Sequence, residues 1–350
     1  MTFLHQSICI SPQNTYPEAD FSQWKASNNN LLEVIEPAYP GIPAGTRRRM
    51  GKSVRMAVGA ALPLLENVKQ PDGIVIGTAN GGMEDCIKFL NQIIEFNEGL
   101  LTPGNFVQST SNASAAQIAL ITKNHKYNIT HVHRGLAFEN AMMDIVMLLK
   151  ENAHSGYLLG CVDEISAYNF NIDRLAGWYR EETVQNKDLF IGSFNGSIVG
   201  EGAYMVLVNN DMENADAKLA AVKTLHSVHV DEVSESLSKF ISENIKEEES
   251  IDLLITGENG DIRLTPYYEQ IESLFPESIP VARYKHLCGE YFTSSSFACW
   301  LSTEIFKNKQ FPPDILKKGK VIKPIRRILI YNNFRGLQHA FILLEDVNPH

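Results

Sequence analysis

Five cysteines, Cys9, Cys86, Cys161, Cys288 and Cys299, are the strongest nucleophiles the sequence offers. To attack a substrate at neutral pH, a thiol needs its pKa lowered by a base, a cation or a helix N-terminus. The five are odd in number, widely spread and free of any CxxC pair, which argues against a disulfide scaffold and a zinc site and fits a reducing compartment. His131 and His133 alternate, so on a strand both imidazoles share one face, as metal ligands could. No Cys, Asp or Glu stands beside them at ligand spacing, so two satisfied or exposed histidines fit better, and His226 and His229 read the same way. Residues 45–53, GTRRRMGKS, imitate a phosphate loop but hold five residues between the glycines and follow no strand. Residues 77–82, GTANGG, follow a strand yet lack the glycine spacing and acidic partner of a dinucleotide site. No cofactor and no metal is expected.

Such side chains are placed by alternating helices and strands. Residues 49–66 are rich in Ala, Met and Leu and read as a mostly buried helix, while 73–77, 157–161 and 203–208 are short apolar runs expected as buried strands. Met83, Ile87, Leu90, Ile93 and Ile94 fall at helical spacing, and 135–150 repeat that pattern. Residues 218–230 look strand-like, 233–245 form an amphipathic helix, and 252–256 are a strand. Two further strands, 327–333 and 339–347, flank a hairpin turn. The result is an α/β fold with two similar halves and no linker between them.

The 350 residues suit about two domains. With 44% apolar and 21% charged residues, wholesale disorder is excluded. No apolar run reaches the ~18 residues that cross a bilayer, and the opening MTFLHQSICISPQN has neither a basic start nor a long apolar core, so a cytoplasmic chain is expected. The net charge of −10 repels phosphate backbones and anionic lipid, so neither nucleic acid nor membrane is expected as a partner.

Seven segments in order resemble the β-ketoacyl synthases of the thiolase superfamily. They are RRMGKSVRMAVGAA (48–61), GIVIGTANGG (73–82), PGNFVQSTSNASAAQIAL (103–120), LGCVDE (159–164), IVGEGAYMVLV (198–208), YKHLCGE (284–290) and NNFRGLQHAFILLE (332–345). The fifth, similar to G-E-G-A-x-x-x-V-L, is the most specific. The resemblance implies a five-layered αβαβα thiolase fold with two pseudo-duplicated halves, 1–208 and 209–350, each supplying a sheet within one fused unit.

Against that family the catalytic positions are altered. The family cysteine, counted back 25 residues from Gly160, falls on Gly135. The first family histidine falls on Thr256 or Gly257, and the second, five residues after the retained Lys285, on Glu290. The phenylalanine of the final glycine hairpin maps to Gly336. Claisen condensation needs a nucleophile to carry the acyl chain and donors to stabilise an enolate. Glycine offers no nucleophile, and an ionised glutamate repels both malonyl carboxylate and enolate. Cys161 and Cys288 read as buried structural thiols.

Three readings follow. The chain is a non-catalytic, chain-length-factor-like subunit that pairs with a cysteine-containing β-ketoacyl synthase and leaves the acyl carrier protein mainly to that partner. It is an enzyme with new acyl-thioester chemistry from Glu290, Thr256 and His133. Or it is a homodimeric scaffold that binds acyl chains. The S-x-S-N-A-S-A-A segment and the elbow G-L-A-F most resemble the cysteine-less ketosynthase-like subunits of aryl-polyene and flexirubin pigment pathways. The resemblance places a dimer interface at Gln108, Ser109, Ser111, Asn112 and Ala116. It also places Phe138 and Met142, four apart on one helix face, along a substrate tunnel. The alternative for both is the hydrophobic core.

Overall fold

Gly73–Thr78 and Tyr157–Asp163 are buried along their whole length. Strands covered on both faces are the interior of a sheet packed between helices. A computed structural model describes residues 1–20, 24–27, 29–66, 68–309, 311–312 and 314–348.

The strands of the first half are β1 (Thr2–Ile10), β2 (Leu31–Leu32), β3 (Gly73–Thr78), β4 (Tyr127–Val132), β5 (Tyr157–Asp163), β6 (Val199–Gly200) and β7 (Gly202–Asn209). Those of the second are β8 (Ala217–His226), β9 (Leu253–Thr256), β10 (Val281–Arg283), β11 (Leu316–Lys318), β12 (Arg327–Phe334) and β13 (Gln338–Glu345). The first half carries helices α1 (Ala44–Arg47), α2 (Lys52–Leu65), α3 (Met83–Glu95), α4 (Pro103–Gln108), α5 (Ala113–Thr122), α6 (Ala137–Glu151) and α7 (Ala167–Leu175). The second carries α8 (Val230–Asn244), α9 (Thr265–Ser273), α10 (Lys285–Cys288) and α11 (Ser295–Asn308).

The pseudo-duplication is written in strand directions. Outward from the middle of the sheet, β1, β7, β5, β3 and β4 follow one another antiparallel, antiparallel, parallel and parallel. Strands β8, β13, β12, β9 and β10 repeat that series and are visited by the chain in the same spatial order. The sheets of the two halves are continuous with each other. Thr2–Leu4 of β1 pair with Ala217–Leu219 of β8, which joins both halves into one 11-stranded sheet.

Alternation along the strands sorts side chains into layers. Ile74, Ile76, Leu158 and Val162 face α2 and α5. Val75 and Leu159, with Leu253, Ile255, Ile328 and Ile330 of the other half, enclose α6 and α11 between them. Leu254, Leu329, Tyr331, Phe341 and Leu343 face α8 and α9. Helix, sheet, helix, sheet, helix: these are the expected five layers. The strand expected over 218–230 ends at His226, because Ser227 turns the chain: its hydroxyl donates to Glu232 at 2.5 Å and accepts from the His229 amide at 3.0 Å, leading into α8. Among the described residues no helix is long and apolar enough to cross a membrane.

Candidate functional site

Gly135 lies in the bend between β4 and α6, facing the end of the β12–β13 hairpin. A Cβ built on it would stand 2.2 Å from Phe334 Cβ and 2.3 Å from Phe334 Cγ. The aromatic ring therefore occupies the space a nucleophilic side chain would enter. Backbone amides here are also spent. Gly135 N–H donates to Gln338 Oε1 at 2.8 Å, and Gly336 N–H to Asn333 Oδ1 at 2.8 Å. An oxyanion hole requires such donors to be free and aimed at one point.

Glu290 follows the short helix α10. Lys285 Nζ, fully buried, donates to both its carboxylate oxygens at 2.8 and 2.7 Å, and Asn259 Nδ2 donates to Oε2 at 2.6 Å. Three hydrogen bonds on one carboxylate make a closed buried ion pair rather than a free base. Thr256 does not join them: among the described residues its hydroxyl reaches only the Ala282 carbonyl, at 3.4 Å. Asn259 is the residue that converges on Glu290, and sequence reasoning missed it because it lies in the turn beyond the strand end. Gly257 has no room for a side chain, since a Cβ there would meet Asn332 Oδ1 at 2.2 Å.

The mouth of this region is filled by stacked cations and rings. Arg335 pairs with Asp173 at 2.6 Å and lies 4.7 Å over both the Trp178 and Phe334 rings. Arg263 stacks on Trp178 at 4.3 Å and is itself held by Asp261. The cavity left among Trp178, Asn259, Glu290, Phe292, Phe334 and Arg335 is about 10 Å3, room for one water at most.

Other candidates disperse. Burial raises the pKa of Cys161, on β5, and of Cys288, on α10, so both are neutral thiols. His131 is tied to Asp144 at 3.0 Å, and His133 packs edge-on against His226 with ring centres 5.9 Å apart. Burial first, then His226, lowers the His133 pKa. No described contact joins His133, Thr256 and Glu290. The glycine turn after β3 holds no anion site either, because Asp163 Oδ1 accepts from the Ala79 and Asn80 amides and the Thr78 hydroxyl. Glu139, one turn beyond the bend, went unnoticed in the sequence. It is fully buried, neither oxygen has a hydrogen-bond partner among the described residues, and burial raises its pKa to about 7. A charged residue inside an otherwise apolar helix face was the available signal.

Phe138 and Met142 both lie wholly inside the central layer, Phe138 edge-on to Tyr204 at 5.8 Å. Along 103–120, Gln108 is tied inward to the Gly51 amide and the Arg49 carbonyl, and the Ser109 hydroxyl donates to the Phe106 carbonyl at 2.7 Å. Ser111 is half-buried, while Asn112 and Ala116 are exposed. Ala113, Ala115 and Ile118 turn inward. Leu120, one turn beyond Ala116, is 72% exposed, and on α4 Phe106 and Val107 are 59% and 67% exposed. Strand β4, last in the sheet, ends in the exposed Val132.

Residues 21–172 match the family model described as beta-ketoacyl synthase, N-terminal domain. A ketosynthase from Burkholderia phymatum superposes over 99% of both chains, with a TM-score of 0.77 and 12% identity. The fold is that of the ketosynthases. A chain from each of two further structures superposes equally well, over 98% of both chains: the ishigamide ketosynthase/chain length factor, at TM-score 0.76 and 13% identity, and the AntDE:AntF complex of a type II PKS acyl-carrier protein with its ketosynthase, at 0.78 and 12%. At these identities the likeness is one of fold. No curated protein matches the chain.

Proposed function

We propose that this chain is a non-catalytic, chain-length-factor-like subunit that pairs with a cysteine-containing β-ketoacyl synthase. The pair elongates acyl chains held on an acyl carrier protein, in a pathway of the aryl-polyene or flexirubin pigment type. The two units, 1–208 and 209–350, act as one body in this reading. The single observation that carries it is the filled site: Phe334 where a nucleophile would project, with the Gly135 and Gly336 amides both satisfied inside the chain. One of the structural neighbours is itself a ketosynthase/chain length factor, which supports the kind of assembly proposed. Phe106, Val107, Leu120 and the open edge of β4 offer the partner an apolar face. Exposed patches of this kind mark protein interfaces.

The test is carbon dioxide release from malonyl-carrier protein. The purified chain alone should give none above background, and co-expression with the candidate synthase should give one co-eluting species that elongates. Turnover by the isolated chain that Glu290→Gln abolishes would refute the reading. Two separately eluting proteins would refute the pairing.

A further inference from the structure

A second hollow lies far from the Gly135 bend. Between the C-terminal half of α6, the middle of β8 and the last turns of α8 runs a groove of about 710 Å3. It exists because β8 is partnered unevenly. Strand β13 follows β8 along its length, but β1 pairs with it only over Ala217–Leu219, so from Ala220 onward no described strand lies on that side. Met143, Val146 and Met147 line it from α6 and Phe240 from α8, with Val222 of β8 between them. Met147 is 55% exposed, and thioether side chains adapt to flexible apolar ligands.

The rim has the opposite sign from the rest of the molecule. Lys150, Lys218 and Lys223 line it, with Glu243 as the one carboxylate among the lining residues. Lys218 is engaged by Glu345 at 2.7 Å, and Glu243 stands 3.8 Å from Lys239. Among the described residues Lys223 reaches only the Ser236 carbonyl, at 3.5 Å. Three lysines around an apolar trough, on a chain of net charge −10, mark a place for one anionic head on an apolar body.

We propose that this groove binds a long-chain carboxylate, its tail between α6 and β8 and its headgroup against Lys150 and Lys223. The volume falls in the ordinary range of small-molecule sites, about 300–1,000 Å3. An unbranched tail suits walls without convergent polar groups. The proposal is independent of the partner reading above, because it concerns a different face and needs no partner.

The experiment is displacement of a fluorescent polyunsaturated fatty acid from the purified full chain. Competitors are dodecanoate, tetradecanoate, hexadecanoate and hexadecanol, each below its micelle concentration. Affinity should rise with tail length, by up to about fourfold per buried methylene. Lys150→Glu combined with Lys223→Glu should weaken hexadecanoate at least tenfold and leave hexadecanol unchanged. Met147→Glu should weaken both, and Arg335→Ala, at the filled mouth, should weaken neither. Circular dichroism of each variant checks the fold. The proposal is overturned by absence of displacement, by affinity that ignores tail length, or by lysine changes without effect. Loss on Arg335→Ala alone would place the ligand elsewhere and overturn it too. So would retention of an alternating Asp-Val peptide with no uptake of fatty acid, which would make the open strand edge a peptide site.

Discussion

Placing a cysteine at Gly135 should destabilise the chain, and removing Phe334 should abolish most of that cost. The backbone at Gly135 is not in the left-handed region, so the penalty of Gly135→Cys is steric. Carbon atoms rest about 3.5–4.0 Å apart, and the new Cβ would meet Phe334 at 2.2 Å. Phe334 Cβ moves only with its own backbone, and that backbone is pinned. Gln338 holds the Gly135 amide, Arg335 holds Asp173, and Tyr267 donates to the Gly336 carbonyl at 3.0 Å. The cost therefore belongs at the upper end for overpacking, about 3 kcal/mol. With an unfolding entropy of ~2.1 cal/mol/K per residue, this is a fall in Tm of about 4 °C. Phe334→Ala alone should cost about 3–5 kcal/mol through the cavity it leaves. In that background Gly135→Cys should cost under about 1 kcal/mol, so the cycle should show a coupling of about 2 kcal/mol. Equilibrium unfolding of the four proteins measures it. Labelling of the introduced thiol should be fast only in the double variant. Equal cost of the cysteine in both backgrounds would refute the idea that Phe334 fills the nucleophile's place.

Glu290→Ala should destabilise by about 3–5 kcal/mol because it strands the buried Lys285 charge, whereas Glu290→Gln with Lys285→Met should recover most of the loss in urea unfolding. Glu139 holds its proton more tightly folded than unfolded, so stability should fall as pH rises from its unfolded pKa toward about 7, by up to about 3 kcal/mol. Glu139→Gln should flatten that slope between about pH 4.5 and 7. Phe138→Ala should cost about 3–5 kcal/mol and leave product length unchanged in a reconstituted pair; longer products at unchanged stability would assign it to a tunnel instead. Ala116→Arg should weaken co-elution with the partner while the isolated chain keeps its melting temperature, since Ala116 faces outward.

Strands such as 73–78 and 157–163 were legible because unbroken apolar runs have few other uses. Strand β1 was not, because His5, Gln6 and Ser7 interrupt its alternation where the register shifts between Leu4 and Ser7. Helix α11 escaped for the opposite reason: Ser295–Phe306 are all buried, so no polar stripe marks a helix period. Gly135, Lys285 and Glu290 were singled out by their place along the chain alone. That Phe334 fills the site could not be read there, since it comes from a contact between residues far apart in the chain. Asn259 and Glu139 likewise gain meaning only from what folds against them.

The two copies of the strand pattern meet through three residue pairs, yet share the helical layer between them. This has a consequence for how the chain is made. Phe138, Met142 and Ile145 of α6 leave the ribosome well before Phe297, Trp300 and Leu301 of α11, which lie in the same layer. At ~5–20 residues per second, the first half waits roughly 10–30 s with one apolar face bare. Its final packing is thus a late event of synthesis, and for that interval the nascent chain is a natural client for whatever shields such faces in the cell.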